Sequence, residues 1–159
     1  MTENEAPTSP FLLRRLAAMV YDTLLVLPLI MLSVALAMGV GQLLGRPETD
    51  TPLDPNLVRL IALLTTIAFF TAFWVKSGQT LGMQAWRIRL VDFDGQVPGP
   101  GRAVVRCLGA ILSATCLGLG YLWCLVDRRG RYWHDYLSGT ELVLLPKAAK
   151  KRKKKAAGS

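Results

Sequence analysis

Three long stretches of uncharged, mostly apolar residues dominate the chain. Thr23 to Gly45 runs 23 residues without a charge, Leu60 to Val75 runs 16, and Cys107 to Val126 runs 20. A bilayer hydrocarbon core about 30 Å thick is crossed by about 20 apolar residues of helix. The first and third stretches reach that length alone; the second does so if it starts at Leu57 and Arg59 snorkels to the interface. The pattern predicts helices over about 11–44, 57–75 and 102–126. Four polar pieces remain, residues 1–15, 46–56, 76–102 and 127–159, each shorter than the roughly 40 residues below which chains seldom fold unaided. A soluble enzyme and a soluble DNA-binding domain are excluded, and an integral membrane protein is predicted.

Within the first helix, Arg15 and Asp22 are two turns apart and share a face with Ala18 and Leu29. Pro28 falls inside the same helix and removes a hydrogen bond to the Leu24 carbonyl, which predicts a kink. Ser33, Ala37, Gly41 and Gly45 then recur every four residues as a small-residue stripe suited to close helix contact. The second helix ends in Phe69, Phe70, Phe73 and Trp74, a pattern expected of an interfacial aromatic belt. Beyond it, Trp86 to Asp92 alternates apolar and charged residues and runs into the turn signal Asp94-Gly95, which predicts a half-buried strand. Thr140 to Leu145 is a second β-prone stretch. Isolated strands are unstable in water, so the two are expected to pair, on one side of the membrane.

Charge sharpens this picture. The formal net charge is +8, yet seven of the 19 basic residues lie in the tail, at Lys147, Lys150, Lys151, Arg152, Lys153, Lys154 and Lys155. The tail is read as a disordered segment, 146–159, that clamps anionic lipid headgroups; nucleic acid is the lesser reading of the same charges. Residues 1–10, polar with two prolines, form a disordered lead. The loop 46–56 is acidic, whereas 76–102 is basic, so the positive-inside rule puts the amino terminus and the second loop in the cytoplasm. A simple crossing by the third apolar stretch would carry Arg128, Arg129, Arg131 and the tail outside. The two glycines in Cys116-Leu117-Gly118-Leu119-Gly120 offer a way out, a re-entrant or kinked hairpin that returns to the cytoplasmic side.

The fold class expected is therefore an all-α membrane protein: a small bundle with two spanning helices, a re-entrant or kinked third segment and a short cytoplasmic two-stranded β element. A signal peptide is weighed at Arg14-Arg15 and Ala35-Leu36-Ala37, but the run exceeds an ordinary h-region and contains Asp22, so cleavage is not expected. Cys107, Cys116 and Cys124 fit no metal spacing and read as buried apolar thiols. No cofactor is called for.

Asp22 is the sharpest chemical signal. About 11 Å into the helix at ~1.5 Å per residue, it lies within the hydrocarbon, where an acid faces a partner or a water-filled cavity. Arg15 and Arg106 are the candidate partners, and the pair either serves a transport pathway or fixes helix packing. His134 is the lone histidine; Asp135 beside it is placed to orient the ring and raise its pKa, and Tyr132, Trp133 and Tyr136 suggest an interfacial anchor. With no nucleophile spaced for it, no enzyme is expected; a hydrogen-bonded turn leading into the second strand is the favoured role.

Arg14-Arg15-Leu16-Ala17-Ala18 with Asp22, Gly78-Gln79-Thr80-Leu81-Gly82, Val91-Asp92-Phe93-Asp94-Gly95, and Asp127-Arg128-Arg129 with His134-Asp135 and Gly139-Thr140 together resemble the RDD family of membrane proteins, named for one arginine and two aspartates. The resemblance runs from about Phe11 to Leu145. It implies that the arginine is Arg15, the first aspartate Asp22, and the second Asp135 or else Asp127. Met83 departs from the lysine common at that position. The resemblance further implies a multi-pass protein of the bacterial inner membrane that moves an unknown ligand, with ion or proton antiport in some members. The ion or ligand pathway is then expected at Asp22, Arg15, Arg106, Asp127 and Asp135. The alternative is a structural or assembly protein whose cytoplasmic face docks a membrane partner. Three apolar elements barely screen Asp22 and Arg106 from lipid, so a homo-oligomer is expected.

Overall fold

The computed structural model describes residues 12–45, 53–128 and 130–146. The expectations for the lead, the acidic loop up to residue 52, Arg129 and the basic tail fall outside these residues. Two long helices open the chain, α1 (Leu12–Leu43) and α2 (Pro55–Ser77). Both are long and apolar enough to cross a membrane, with mean hydropathy 2.5 and 2.0. Asp54 starts α2: its carboxylate accepts from the backbone N–H groups of Asn56 and Leu57, and Pro55 occupies the first turn, where its missing N–H costs nothing. Gly78 ends the helix in the left-handed region at φ 70°, and its carbonyl then accepts from Leu90 N–H at 2.7 Å. That glycine carries the chain from the helix end onto the sheet; a Cβ there would meet the Leu90 oxygen at 2.6 Å.

Next come a short helix α3 (Leu81–Ala85) and strand β1 (Ile88–Asp92), then α4 (Pro100–Thr115), α5 (Leu119–Leu122) with a 3-10 turn at Trp123–Leu125, α6 (Trp133–Ser138) and strand β2 (Thr140–Leu144). The strands pair antiparallel, Ile88 opposite Leu144 and Asp92 opposite Thr140. The third apolar stretch is not one helix. It bends by 107° between α4 and the segment Leu119–Leu125. Leu117 and Gly118 make the bend with consecutive positive φ values of 56° and 76°. Gly120, the other glycine of the motif, lies inside α5 and serves packing: a Cβ on it would meet Ser113 Oγ at 2.1 Å, so α5 folds closely back on α4.

The core sits where the helices meet the sheet. Ala18, Trp74, Met83, Ile88, Leu90, Ala103 and Cys107 pack together, drawing one face from each of α1, α2, α3, β1 and α4. In α1 the fully buried positions are Arg15, Ala18, Asp22 and Val26, a helical stripe confined to its first half. Leu29, expected on that face, is exposed, because the stripe turns away from the bundle after Val26. Pro28 is enclosed in a helix that runs unbroken to Leu43.

The aromatic end of α2 is also a correction. Phe69 and Trp74 are buried, and Phe70 packs against Trp74 with ring centroids 5.2 Å apart, so these rings fill the interior and do not form a belt. Of the cysteines only Cys107 is buried; Cys116 is exposed at the bend and Cys124 is half-buried. Their apolar setting came from the sequence run, whereas their burial depended on which face of α4 turned inward.

Candidate functional site

Asp22 is 3% exposed and is held by a segment about sixty residues away. Its Oδ2 accepts from the Thr80 hydroxyl at 2.5 Å and its Oδ1 from the Gly82 backbone N–H at 2.9 Å. Thr80 precedes α3, and its hydroxyl accepts in turn from Met83 N–H at 3.2 Å. The carboxylate thus takes the free donors of a helix start, where backbone N–H groups lack intrahelical partners and favour negative charge. Gly82 is required by the approach, since a Cβ would lie 2.4 Å from the Ala18 carbonyl oxygen and 2.9 Å from Asp22 Oδ1. Neither arginine supplies the ion pair expected for Asp22: the three ion pairs among the described residues are Arg102–Asp92, Arg106–Asp135 and Arg131–Glu141.

Arg106 instead binds Asp135. The two side chains are 4% and 0% exposed, and Arg106 Nη1 also donates to Thr140 Oγ1 at 2.9 Å. The other oxygen of Asp135 accepts from Tyr132 N–H at 2.7 Å, which caps α6. The pair therefore bonds α4 to α6 and to the first residue of β2. Close approach of the two helices depends on Gly109, whose absent Cβ would sit 2.9 Å from His134 Cβ.

Arg15 reaches across the bundle. Its Nη1 donates to the Gly130 carbonyl at 2.7 Å, and its guanidinium carbon lies 4.7 Å from the centre of the Tyr132 ring. Asp127 belongs to the loop before α6, where it accepts from Arg131 N–H and the Tyr136 hydroxyl, both at 2.8 Å. It stands apart from the other residues expected in the pathway, against a shallow depression between Trp123 and Trp133.

Asp22, Arg15 and Arg106 converge on one cavity of about 220 Å³ between α1, α2, α4 and the turn into α6. Its walls are otherwise chiefly apolar, with Phe70, Met83, Ala110 and Ile111 among them. Met83, which stands where the family resemblance leads one to expect lysine, is a buried part of this wall. Trp74 and His134 also line it, and Trp74 Nε1 and His134 Nδ1 are buried without a hydrogen-bond partner among the described residues. His134 is 2% exposed and is no interfacial anchor. Burial first, and then the Arg106 guanidinium, push its pKa from 6.5 down to about 3, the opposite of the expected rise, although Asp135 alone acts upward. The ring is therefore neutral at physiological pH. Trp133 and Tyr136, by contrast, are exposed on α6 as an interfacial element would be.

Sequence reasoning identified Asp22, Arg15, Arg106 and Asp135 but missed Thr80, Gly82, Trp74 and His134 as parts of the same assembly. A threonine directly before a short helix, three residues ahead of the Met83 N–H that it caps, was a readable capping signal; its carboxylate partner was not. The sequence model of the RDD family matches residues 9–139, and the chain belongs to that family. No curated protein and no solved structure matches it.

Proposed function

We propose that this RDD-family membrane protein is a transporter, or the membrane component of one, in which Asp22 gains and loses a proton beside the solute. The observation that carries the reading is the convergence of Asp22, Arg15 and Arg106 on one cavity. Ionised, Asp22 accepts two hydrogen bonds that hold α3 against α1. Protonated, it presents one hydroxyl in place of an acceptor and competes with a donor already there, so the grip on α3 loosens. Since α3 leads directly into β1, the proton acts on the element that joins the helices to the sheet. The third apolar segment re-enters in this reading. Pairing of β1, just before α4, with β2, just after α6, supports a return to the starting side, as does the 107° bend. The excess of basic residues in 76–102 and the tail favours the cytoplasm of a bacterial cell as that side.

The test is Asp22→Asn in proteoliposomes. The amide keeps an acceptor for Gly82 N–H, so the fold is retained while proton-dependent flux is lost; flux equal to the parent protein overturns the reading. A second reading treats Asp22 as a packing device. It is favoured by the full occupation of both carboxylate oxygens and by the Arg106–Asp135 clamp. It expects Asp22→Asn to lower the melting temperature with no flux to lose.

A further inference from the structure

We infer that the cavity between α1, α2 and α4 binds a small apolar carboxylic acid as its anion, the carboxylate against Arg106 and the Trp74 indole N–H and the hydrocarbon body against Phe70, Ala110 and Ile111. This deepens the transport reading by naming the class of solute, and it rests on that reading only for what the binding accomplishes.

Three observations carry it. The first is an unmet demand for an acceptor. Trp74 is 8% exposed, its Nε1 is a donor only, and it has no partner among the described residues. A buried donor left unpaired is costly, so it marks a place where a bound acceptor improves the balance. Nearby, the guanidinium carbon of Arg106 lies 5.5 Å from the centre of the Trp74 ring. Both hydrogen bonds of Arg106 among the described residues start from Nη1, which leaves Nε and the Nη2 side of the fork for an oxygen pair.

The second observation is the sign of the lining. Arg106 and Arg15 line the cavity with Asp22, whose two oxygens each accept a hydrogen bond, from Thr80 and Gly82, while Arg15 is engaged by the Gly130 carbonyl and the Tyr132 ring. Asp135, which balances Arg106, lies behind it and does not line the space. The Trp74 indole N–H and the guanidinium of Arg106 can only donate, so at that end of the cavity an anion is matched and an organic cation is not.

The third is size and polarity. An apolar cavity of about 150 Å³ holds benzene, so 220 Å³ accommodates a ring or short chain with a carboxylate, about nine non-hydrogen atoms in all. Benzoate has that size and serves as the probe.

The test uses the full chain in nanodiscs of neutral phosphatidylcholine, with empty nanodiscs as control, and ligand-observed fluorine NMR of 4-fluorobenzoate and 4-fluorobenzylamine. The expected result is saturable binding of the acid, displaced by unlabelled benzoate, and at least tenfold weaker binding of the amine. Trp74→Phe, which keeps the ring and deletes the donor, weakens the acid about tenfold. Ala110→Leu fills the cavity and abolishes binding. Equal or tighter binding of the amine overturns the inference, and so does acid binding that survives both substitutions. If Ala110→Leu fails to fold, the acid-over-amine preference of the parent chain and the Trp74→Phe loss decide. Loss of proton-dependent flux in Asp22→Asn together with no benzoate binding overturns the solute class and leaves transport standing. Benzoate binding with no flux keeps the site and overturns transport.

Discussion

Asp22 illustrates how a single residue sets the demands on its surroundings. An ionised carboxylate cannot be buried alone, and here two donors from Thr80 and Gly82 replace water. Its place as an acid within a long apolar helix could be read from the sequence, because it lies two turns past Arg15 and directly before the uncharged run Thr23 to Gly45. Its partners could not, since they come from a loop 58 and 60 residues away, and arginine is the partner that charge alone suggests. Gly82 is the residue most exposed to test. Gly82→Ala puts a methyl 2.4 Å from the Ala18 oxygen and is expected to cost about 1–3 kcal/mol, seen as a lowered melting temperature. Gly39→Ala, inside α1 with nothing within 4 Å of the new carbon, is expected not to lower the melting temperature.

At the scale of elements, the buried Arg106–Asp135 pair binds α4 to α6. Removing one partner strands a charge in the interior, so Asp135→Ala or Arg106→Met is each expected to destabilise by about 3–5 kcal/mol. The double variant Arg106→Met with Asp135→Leu is expected to recover a large part of that loss, measured by thermal unfolding of all three in the same detergent. A loss in the double variant equal to the sum of the two single losses would show that the pair carries no mutual dependence. The strands were legible from their alternation and turn signal, and the bend from its glycines. Inward packing of the α2 aromatics was not legible, because an aromatic cluster at a helix end looks the same whether the neighbouring helix or the lipid interface covers it. His134 was misread for a similar reason: Asp135 beside it in sequence spends its carboxylate on Arg106 and Tyr132 N–H, leaving the ring to burial and a neighbouring cation.

For the whole molecule, the pairing of β1 with β2 across the bent third segment sets which residues share a side of the bilayer. Cysteines introduced at Asp94, in the turn after β1, and at Glu141, in β2, in a cysteine-free background are expected to react with an impermeant thiol reagent from the same side. Reaction from opposite sides would exclude both the return of the third segment and the membrane-side placement of the sheet. If the third segment re-enters as proposed, a cysteine at Leu117, 91% exposed at the bend, is expected to be protected from that reagent in intact membranes.

The sequence by itself determined that the chain is a membrane protein of two long helices and a broken third, with a strand on either side of the break and one acid inside the first helix. Those features are local: hydropathy, periodicity and turn chemistry each act over a few residues or a few turns. Tertiary structure alone decided which charges meet, that Asp22 takes a helix start while Arg106 takes Asp135, and that Trp74 and His134 face a common cavity. The reason is that burial satisfies a polar group with whichever partner the packing of distant elements brings within hydrogen-bond reach, and a linear pattern carries no record of that distance.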